Sequence, residues 1–324
     1  MTRTRRFLLA APALLPFAAA PSPTRAQGHR SLRLVVPFPA GGATDGLARL
    51  WAPGFGQRLG MPVVIDNRPG AGGVPAADAV AKAAPDGLTL LLATSSIAST
   101  GPAVNPALPY DVERDFTPLS LLAVSPSLVL VSAAVPARSL EEFIAWAKAR
   151  RGEVNYGSSG VGTGPHLAGA LFDRLAGTGM VHVPYRGTGP VYAELRRGDV
   201  HALFDVPSTA APHLQGGTVR ALAVTSPGPT PLAPGLRPAN TAVPGFEAET
   251  WFGVYGPAGL PAALAGPLAA AAAEAVRDPS LTERFAGLGA EVRGGDGAAL
   301  AAAARDERGK WTRLVRDLGI KPEG

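Results

Sequence analysis

The stretch Leu32-Arg33-Leu34-Val35-Val36-Pro37-Phe38-Pro39-Ala40-Gly41-Gly42-Ala43-Thr44-Asp45-Gly46-Leu47-Ala48-Arg49-Leu50 decides the fold. An apolar run of strand length gives way to a Pro/Gly loop. A helical pattern then opens at Thr44 and continues to Leu59. Strand, glycine loop and helix in that order make the first unit of an α/β domain, since a strand buried on both faces reads as a near-continuous apolar run. The two glycines let the backbone come close to a ligand, and the helix start offers free N–H groups to an anion. A plain turn with Thr44 or Asp45 as the helix cap is the competing reading of the same residues.

The same grammar continues outward. Val63–Asp66 reads as a strand, Arg68–Gly73 as a glycine-rich loop, and an Ala-rich helix runs to Ala84. Leu88–Ala93 is an apolar strand followed by Thr94-Ser95-Ser96, a third set of hydroxyl donors. One or two strands fall within Leu119–Val131, and Ser139-Leu140-Glu141-Glu142 is a capping box for a helix to about Arg151. A second series then begins with strand Val154–Gly157, the loop Ser158-Ser159-Gly160-Val161-Gly162-Thr163, and a helix over Gly164–Ala176. Strands at Val181–Val183, Val200–Asp205 and Arg220–Thr225 alternate with helices at Val191–Arg197 and Ala210–Gln215. Ser226–Pro244 is Pro-rich and reads as an irregular crossing segment. Trp251–Tyr255 is a strand, and helices follow at Pro261–Val276, from Asp278-Pro279 to about Gly287–Gly289, and over Gly297–Leu318.

This pattern predicts two doubly wound α/β domains. Residues 27–124 and 245–324 form the first, and 125–244 the second. In open α/β sheets ligands bind outside the carboxyl ends of the strands. That rule points to the loop from Pro37 to Asp45 and the hydroxyls of Thr94-Ser95-Ser96 in the first unit. In the second it points to the loop from Asn155 to His166 and to Asp205 at the end of its strand.

Composition removes several function classes. The 324 residues contain no cysteine, which excludes disulfides, thiolate metal sites and a cysteine nucleophile. The formal charge of +5 owes much to residues 1–26, where Arg3, Arg5, Arg6 and Arg25 meet no acid. Without them 26 basic residues face 25 acidic ones, so nucleic-acid binding has no electrostatic footing. The same residues have a basic start, an apolar stretch from Phe7 to Ala20 and a small-residue end at Ala26, the pattern of a cleaved signal peptide. Thr4-Arg5-Arg6-Phe7-Leu8 leaves Sec and twin-arginine export both open. The expectation is a soluble, exported protein.

Catalytic motifs are missing. Gly157-Ser158-Ser159-Gly160 departs from the G-x-S-x-G elbow, no phosphate-binding P-loop occurs, and the five histidines have no compact metal-ligand spacing. No cofactor and no metal are expected. A serine hydrolase built on Ser158 or Ser159 with His166 and Asp205 is the enzymatic rival. Arg186 is a candidate carboxylate clamp.

Several stretches taken together resemble the Bug family, the extracytoplasmic solute receptors of tripartite tricarboxylate transporters. They are Val36–Gly42 with Asp45 and Arg49, Asp66–Gly73, Pro85-Asp86-Gly87, and Leu108–Asp111 with Asp115–Pro118. Asn155–His166, His182–Gly187, Leu222–Ser226 and Trp251–Gly253 follow in the same order. The resemblance implies a periplasmic, monomeric receptor of type II-like Venus-flytrap fold, with a cleft between its two α/β domains that closes around a small organic carboxylate. It implies backbone amides, hydroxyls and waters as the ligand's partners, and a membrane permease as the protein's. Carried over by motif position, it places Ala40, Gly41, Gly42, Asp45, Thr94 and Ser95 on one side of the cleft, and Ser158, Ser159, Gly162, Thr163 and Asp205 on the other. An anion receptor of an ABC importer is the rival within the binding class. One segment departs from the family pattern: Leu236-Arg237-Pro238-Ala239-Asn240 has Asn240 where a glutamate is usual, which puts the packing of the crossing segment in question.

Overall fold

The computed structural model describes residues 30–321. The leader over 1–26, with its cleavage point at Ala26, lies outside the described residues.

The first sheet holds β1 (Leu32–Val36), β2 (Val63–Asn67), β3 (Thr89–Thr94), β4 (Phe116–Pro126), β10 (Glu249–Pro257) and β11 (Glu291–Asp296), in the order β11-β4-β10-β3-β1-β2. β1 lies parallel to both β2 and β3, and β10 runs antiparallel to β3 and β4. The second sheet holds β5 (Leu128–Ser132), β6 (Asn155–Ser158), β7 (Val181–Pro184), β8 (Ala202–Asp205) and β9 (Val219–Val224), in the order β7-β6-β8-β5-β9. Here β6 is parallel to β7 and β8, and β5 is antiparallel to β8 and β9.

Helices cover both faces of each sheet, as parallel strands require. α1 (Ala43–Leu59), α9 (Ala262–Val276) and α10 (Pro279–Gly287) bury Trp51, Phe55, Ala272 and Phe285 on one face of the first sheet. The Trp51 and Phe55 rings stack at 4.3 Å, and the indole N–H donates to the Ala272 carbonyl at 3.2 Å. α2 (Val74–Ala81) and the short helices α3 (Gly101–Val104) and α4 (Val112–Asp115) lie on the other side. In the second unit α5 (Leu140–Lys148) and α6 (Gly164–Ala176) pack on one face, and α7 (Thr188–Arg197) and α8 (Pro207–Gln215) on the other. The capping box forms with a shift: Ser139 Oγ accepts from Glu142 N at 3.1 Å, while Glu142 Oε2 accepts from Arg138 N rather than from the cap's own amide.

Three connections join the units. β4 runs almost straight into β5, with Ser127 alone between them. The return passes from β9 through 225–248 to β10, tied at Thr225: its N–H donates to the Ser127 carbonyl at 2.9 Å, and its hydroxyl oxygen accepts from Ser127 N at 2.8 Å. α11 (Gly297–Leu318) is the third, placing Leu300 and Ala304 in the core beside the first sheet and Trp311, Leu314 and Val315 in the core beside the second. The Pro-rich segment is irregular as expected, apart from a 3-10 turn at Ala239–Thr241 and one bridge from Val224 to Pro238. Asn240 serves this segment well: its Nδ2 donates to the Pro227 carbonyl at 3.0 Å, so the turn is held without the usual glutamate. Edge strand β11 and the helical residues 96–104 after β3 are elements the sequence pattern did not reveal.

Candidate functional site

In the first sheet β1 sits between its parallel neighbours β2 and β3, so the strand order reverses there and a crevice opens between the loops after β1 and β3. In the second sheet β6 sits between β7 and β8 and does the same for the loops after β6 and β8. All the residues selected from the sequence lie at or beside these four strand ends.

A cavity of about 220 Å3 lies between the units. Its lining includes Thr44, Thr94, Ser95, Ser96 and Thr100 from the first unit, and Gly164 and Pro165 from the start of α6. Ser127, Asp205 and Glu249 line it at the crossing of the units, and Glu307 and Trp311 enter from α11. Phe38, Phe204 and Phe252 supply apolar surface. A second cavity of about 530 Å3 shares Phe38, Ser96, Thr100 and Gly164 with it, and is also lined by Gly72, Gly162 and Thr163. Of the residues selected from the sequence, Thr94, Ser95 and Asp205 meet on the first cavity, and Gly162 and Thr163 on the second.

The others occupy different positions. Ala40, Gly41 and Gly42 are exposed and line neither cavity. Asp45 is buried within the loop it follows: its carboxylate accepts from Gly41 N at 2.9 Å, Arg49 Nε at 2.8 Å and Asn67 Nδ2 at 2.9 Å. The Arg49 hydrogen bond leads in holding its pKa at about 2. Neither Thr44 nor Asp45 caps α1; the cap is Gly42 in extended backbone, with no side-chain bond. Ser158 is buried, with Oγ 2.6 Å from His182 Nε2 and bonded to both the N–H and the carbonyl of Gly160. Ser159 is half-buried and lines neither cavity. Arg186 is exposed and outside both as well.

The residues of the hydrolase rival are not assembled. Ser158 pairs with His182 rather than His166. The His166 Nδ1 accepts from Gly162 N at 2.9 Å, and Asp205 Oδ2 accepts from the Tyr192 hydroxyl at 3.0 Å. The His166 and His182 rings stack at 3.8 Å, and burial lowers both pKa values to about 4, so both are neutral near pH 7.

Three lining acids carry the unusual electrostatics. Burial pushes Asp205 up to about 6 and Glu249 up to about 7, and raises Glu307 as well. Glu307 is fixed by two indoles, accepting from Trp251 Nε1 at 2.6 Å and Trp311 Nε1 at 3.0 Å. Glu249, Glu307 and Trp311 were not among the residues selected from the sequence. The strand around Trp251 begins at Glu249, two residues before the apolar run shows it, so Glu249 had no pattern to mark it.

Residues 47–320 match the tripartite tricarboxylate transporter family receptor. The chain belongs to this family. It is 35% identical to the protein BugT of Bordetella pertussis, over 94% of each chain. It is also similar to the solved structure of Rhodopseudomonas palustris Rpa4515 with adipate: 35% identity, a TM-score of 0.77, and coverage of 92% of this chain and all of that one. A third relative is MatC from the same organism with bound malate, at 33% identity, a TM-score of 0.72, and coverage of 88% and 99%. The family is one of periplasmic solute receptors, not enzymes, and the two mixed sheets with flanking helices are its fold. None of the helices among the described residues is long and apolar enough to cross a membrane.

Proposed function

We propose that this receptor is exported to the periplasm through the leader at 1–26, closes as a monomer around a small organic carboxylate, and presents it to a tripartite tricarboxylate permease. The observation that carries this reading is the 220 Å3 cavity at the strand ends of both units, lined by hydroxyls and by the start of α6. Ser95 offers an O–H donor beside the Thr94–Ser96 hydroxyl pair, bonded at 2.7 Å, and the first turn of α6 offers unsatisfied N–H groups and the positive end of its dipole. Ordered waters can complete the shell at little enthalpic cost. Two units joined by narrow crossings at Ser127 and Thr225 suit hinge closure. Relatives solved with adipate and malate bind molecules of this chemical class.

The test uses protein from Gln27 onward, freed of carried-over ligand by unfolding and refolding. Thermal shift and calorimetry are run against mono-, di- and tricarboxylates, amino- and aromatic acids, phosphate and sulfonates. A ligand at 100 times its Kd stabilises by about 2.7 kcal/mol. A carboxylate hit is expected, with Thr94→Val and Ser95→Ala each weakening it about tenfold, roughly 1.4 kcal/mol for a lost hydrogen bond to a charged group. Response to phosphate or sulfonate alone would turn the reading toward an ABC-type anion receptor. Unchanged affinity in both variants would remove the site.

A further inference from the structure

The two cavities between the units differ in character. The first is lined by hydroxyls and by three acids. The second, at about 530 Å3, has no charged residue in its lining. Its walls are Phe38 after β1, Ala71 and Val74 at the start of α2, Val104 at the end of α3, Leu108, and Val161 from the loop before α6. Val161 belongs to the second unit and the others to the first, so a molecule lying there touches both. The units also come closest on this wall, where a Cβ on Gly162 would sit 2.8 Å from Val104 Cγ1.

The polar side chains of the second cavity are engaged with the protein itself. The Tyr110 hydroxyl donates to the Ile97 carbonyl at 3.1 Å, and the Thr163 hydroxyl to the Gly160 carbonyl at 2.7 Å. Asn105 Oδ1 accepts from Ala107 N at 3.0 Å. Ser96 Oγ lies 2.7 Å from Thr94 Oγ1 and 3.3 Å from the Gly72 carbonyl. Among the described residues no Lys, Arg or His lines either cavity. A carboxylate buried against the apolar walls would lose its water with no cation to meet it, which is costly. A methylene chain or a ring gains from the same transfer.

The two cavities are continuous: Phe38, Ser96, Thr100 and Gly164 line both. Gly164 opens α6, so the free N–H groups of that helix lie at the junction. We propose that the cleft selects a monocarboxylate with an apolar body, its carboxylate held at the junction by Ser95, Thr100 and the start of α6, and its body lying in the second cavity. This rests on the receptor reading above and narrows its ligand class. The body runs away from the acids of the first cavity, and the loop before α6 closes over it against α3, so apolar burial favours the closed form.

The experiment is calorimetry of ligand-free protein with two matched series of four to eight carbons, straight-chain monocarboxylates and α,ω-dicarboxylates. They differ only in a methyl or a carboxylate at the far end. The expected result is that the longer monocarboxylates bind at least tenfold tighter than the dicarboxylates of their length, with affinity rising about threefold per methylene. Val161 is half-buried in its loop, and Val161→Lys, which brings an ammonium to the second cavity, should cut the methyl-over-carboxylate preference at least tenfold. Leu108→Ala should flatten the rise with chain length while leaving the four-carbon monocarboxylate within about twofold of wild type. A dicarboxylate binding as tightly as the monocarboxylate of its length overturns the proposal. So does an affinity that does not rise with length, or a pattern that neither variant moves. If no member of either series binds while another carboxylate does, this inference falls and the receptor reading stands. If no carboxylate binds at all, both fall.

Discussion

Asp45 shows how a residue can be essential to a binding loop without touching the cavity. Three N–H donors converge on its carboxylate, and two of them, Gly41 N and Asn67 Nδ2, belong to segments flanking the first crevice. Asp45→Ala strands those donors at a buried position, and the expected loss is about 1–2 kcal/mol in urea unfolding. Arg49 is 54% exposed in its side chain, so solvent screening keeps its part of that loss small. The folded pKa of about 2 lies below the ordinary 3.8. Its stabilisation is therefore fully present above about pH 4 and lost as pH falls toward 2, and the gap between wild type and variant should close over that interval. A variant within a few tenths of a kcal/mol of wild type at pH 7 would show that the brace is idle.

The helix-opening loops are where sequence and structure agree best. Strand ends rich in Gly, Ser and Thr are visible as local pattern, and so are the strands themselves, because β1, β3 and β8 are buried on both faces and read as apolar runs. What local pattern cannot show is pairing across the chain. Glu249 becomes a lining residue only because β10 returns beside β4, and Trp311 only because α11 spans both units. Edge strand β11, Glu291–Asp296, contains Gly294 and Gly295 and has little apolar content to betray it. Ser158 looked like a ligand donor but is consumed by His182, a partner 24 residues away. Gly162 is the opposite case, a loop glycine whose necessity comes from another element. Its φ of +77° favours glycine, and a Cβ there would sit 2.8 Å from Val104 Cγ1 on α3 of the facing unit. Gly162→Ala should weaken ligand binding about tenfold or more by holding the units apart, besides a backbone cost of about 1–2 kcal/mol. Adding Val104→Ala restores the space but not the backbone strain, so calorimetry should recover affinity while unfolding experiments still show a loss. Affinity unchanged by Gly162→Ala would mean that the contact does not govern closure.

Over the whole molecule two sets of buried groups pull the pH dependence of stability in opposite directions. His166 and His182 titrate near 4 when folded, below the ordinary 6.5, so the neutral pair favours the folded state fully above about pH 6.5 and that advantage is lost as pH falls toward 4. Glu249 titrates near 7 when folded, above the ordinary 4.5, so its burial costs nothing below about pH 4.5 and destabilises increasingly as pH rises to 7 and beyond. Asp205, near 6, has the same sign over a narrower window. The ligand-free protein should therefore be most stable in a shallow maximum between these limbs. Glu249→Gln removes much of the alkaline limb. At pH 8 the variant should be more stable than wild type by on the order of 2 kcal/mol, since a unit of pKa shift corresponds to about 1.4 kcal/mol, and the difference should fade by pH 4.5. Equal stability at pH 8 would show that Glu249 finds compensation inside the empty cleft.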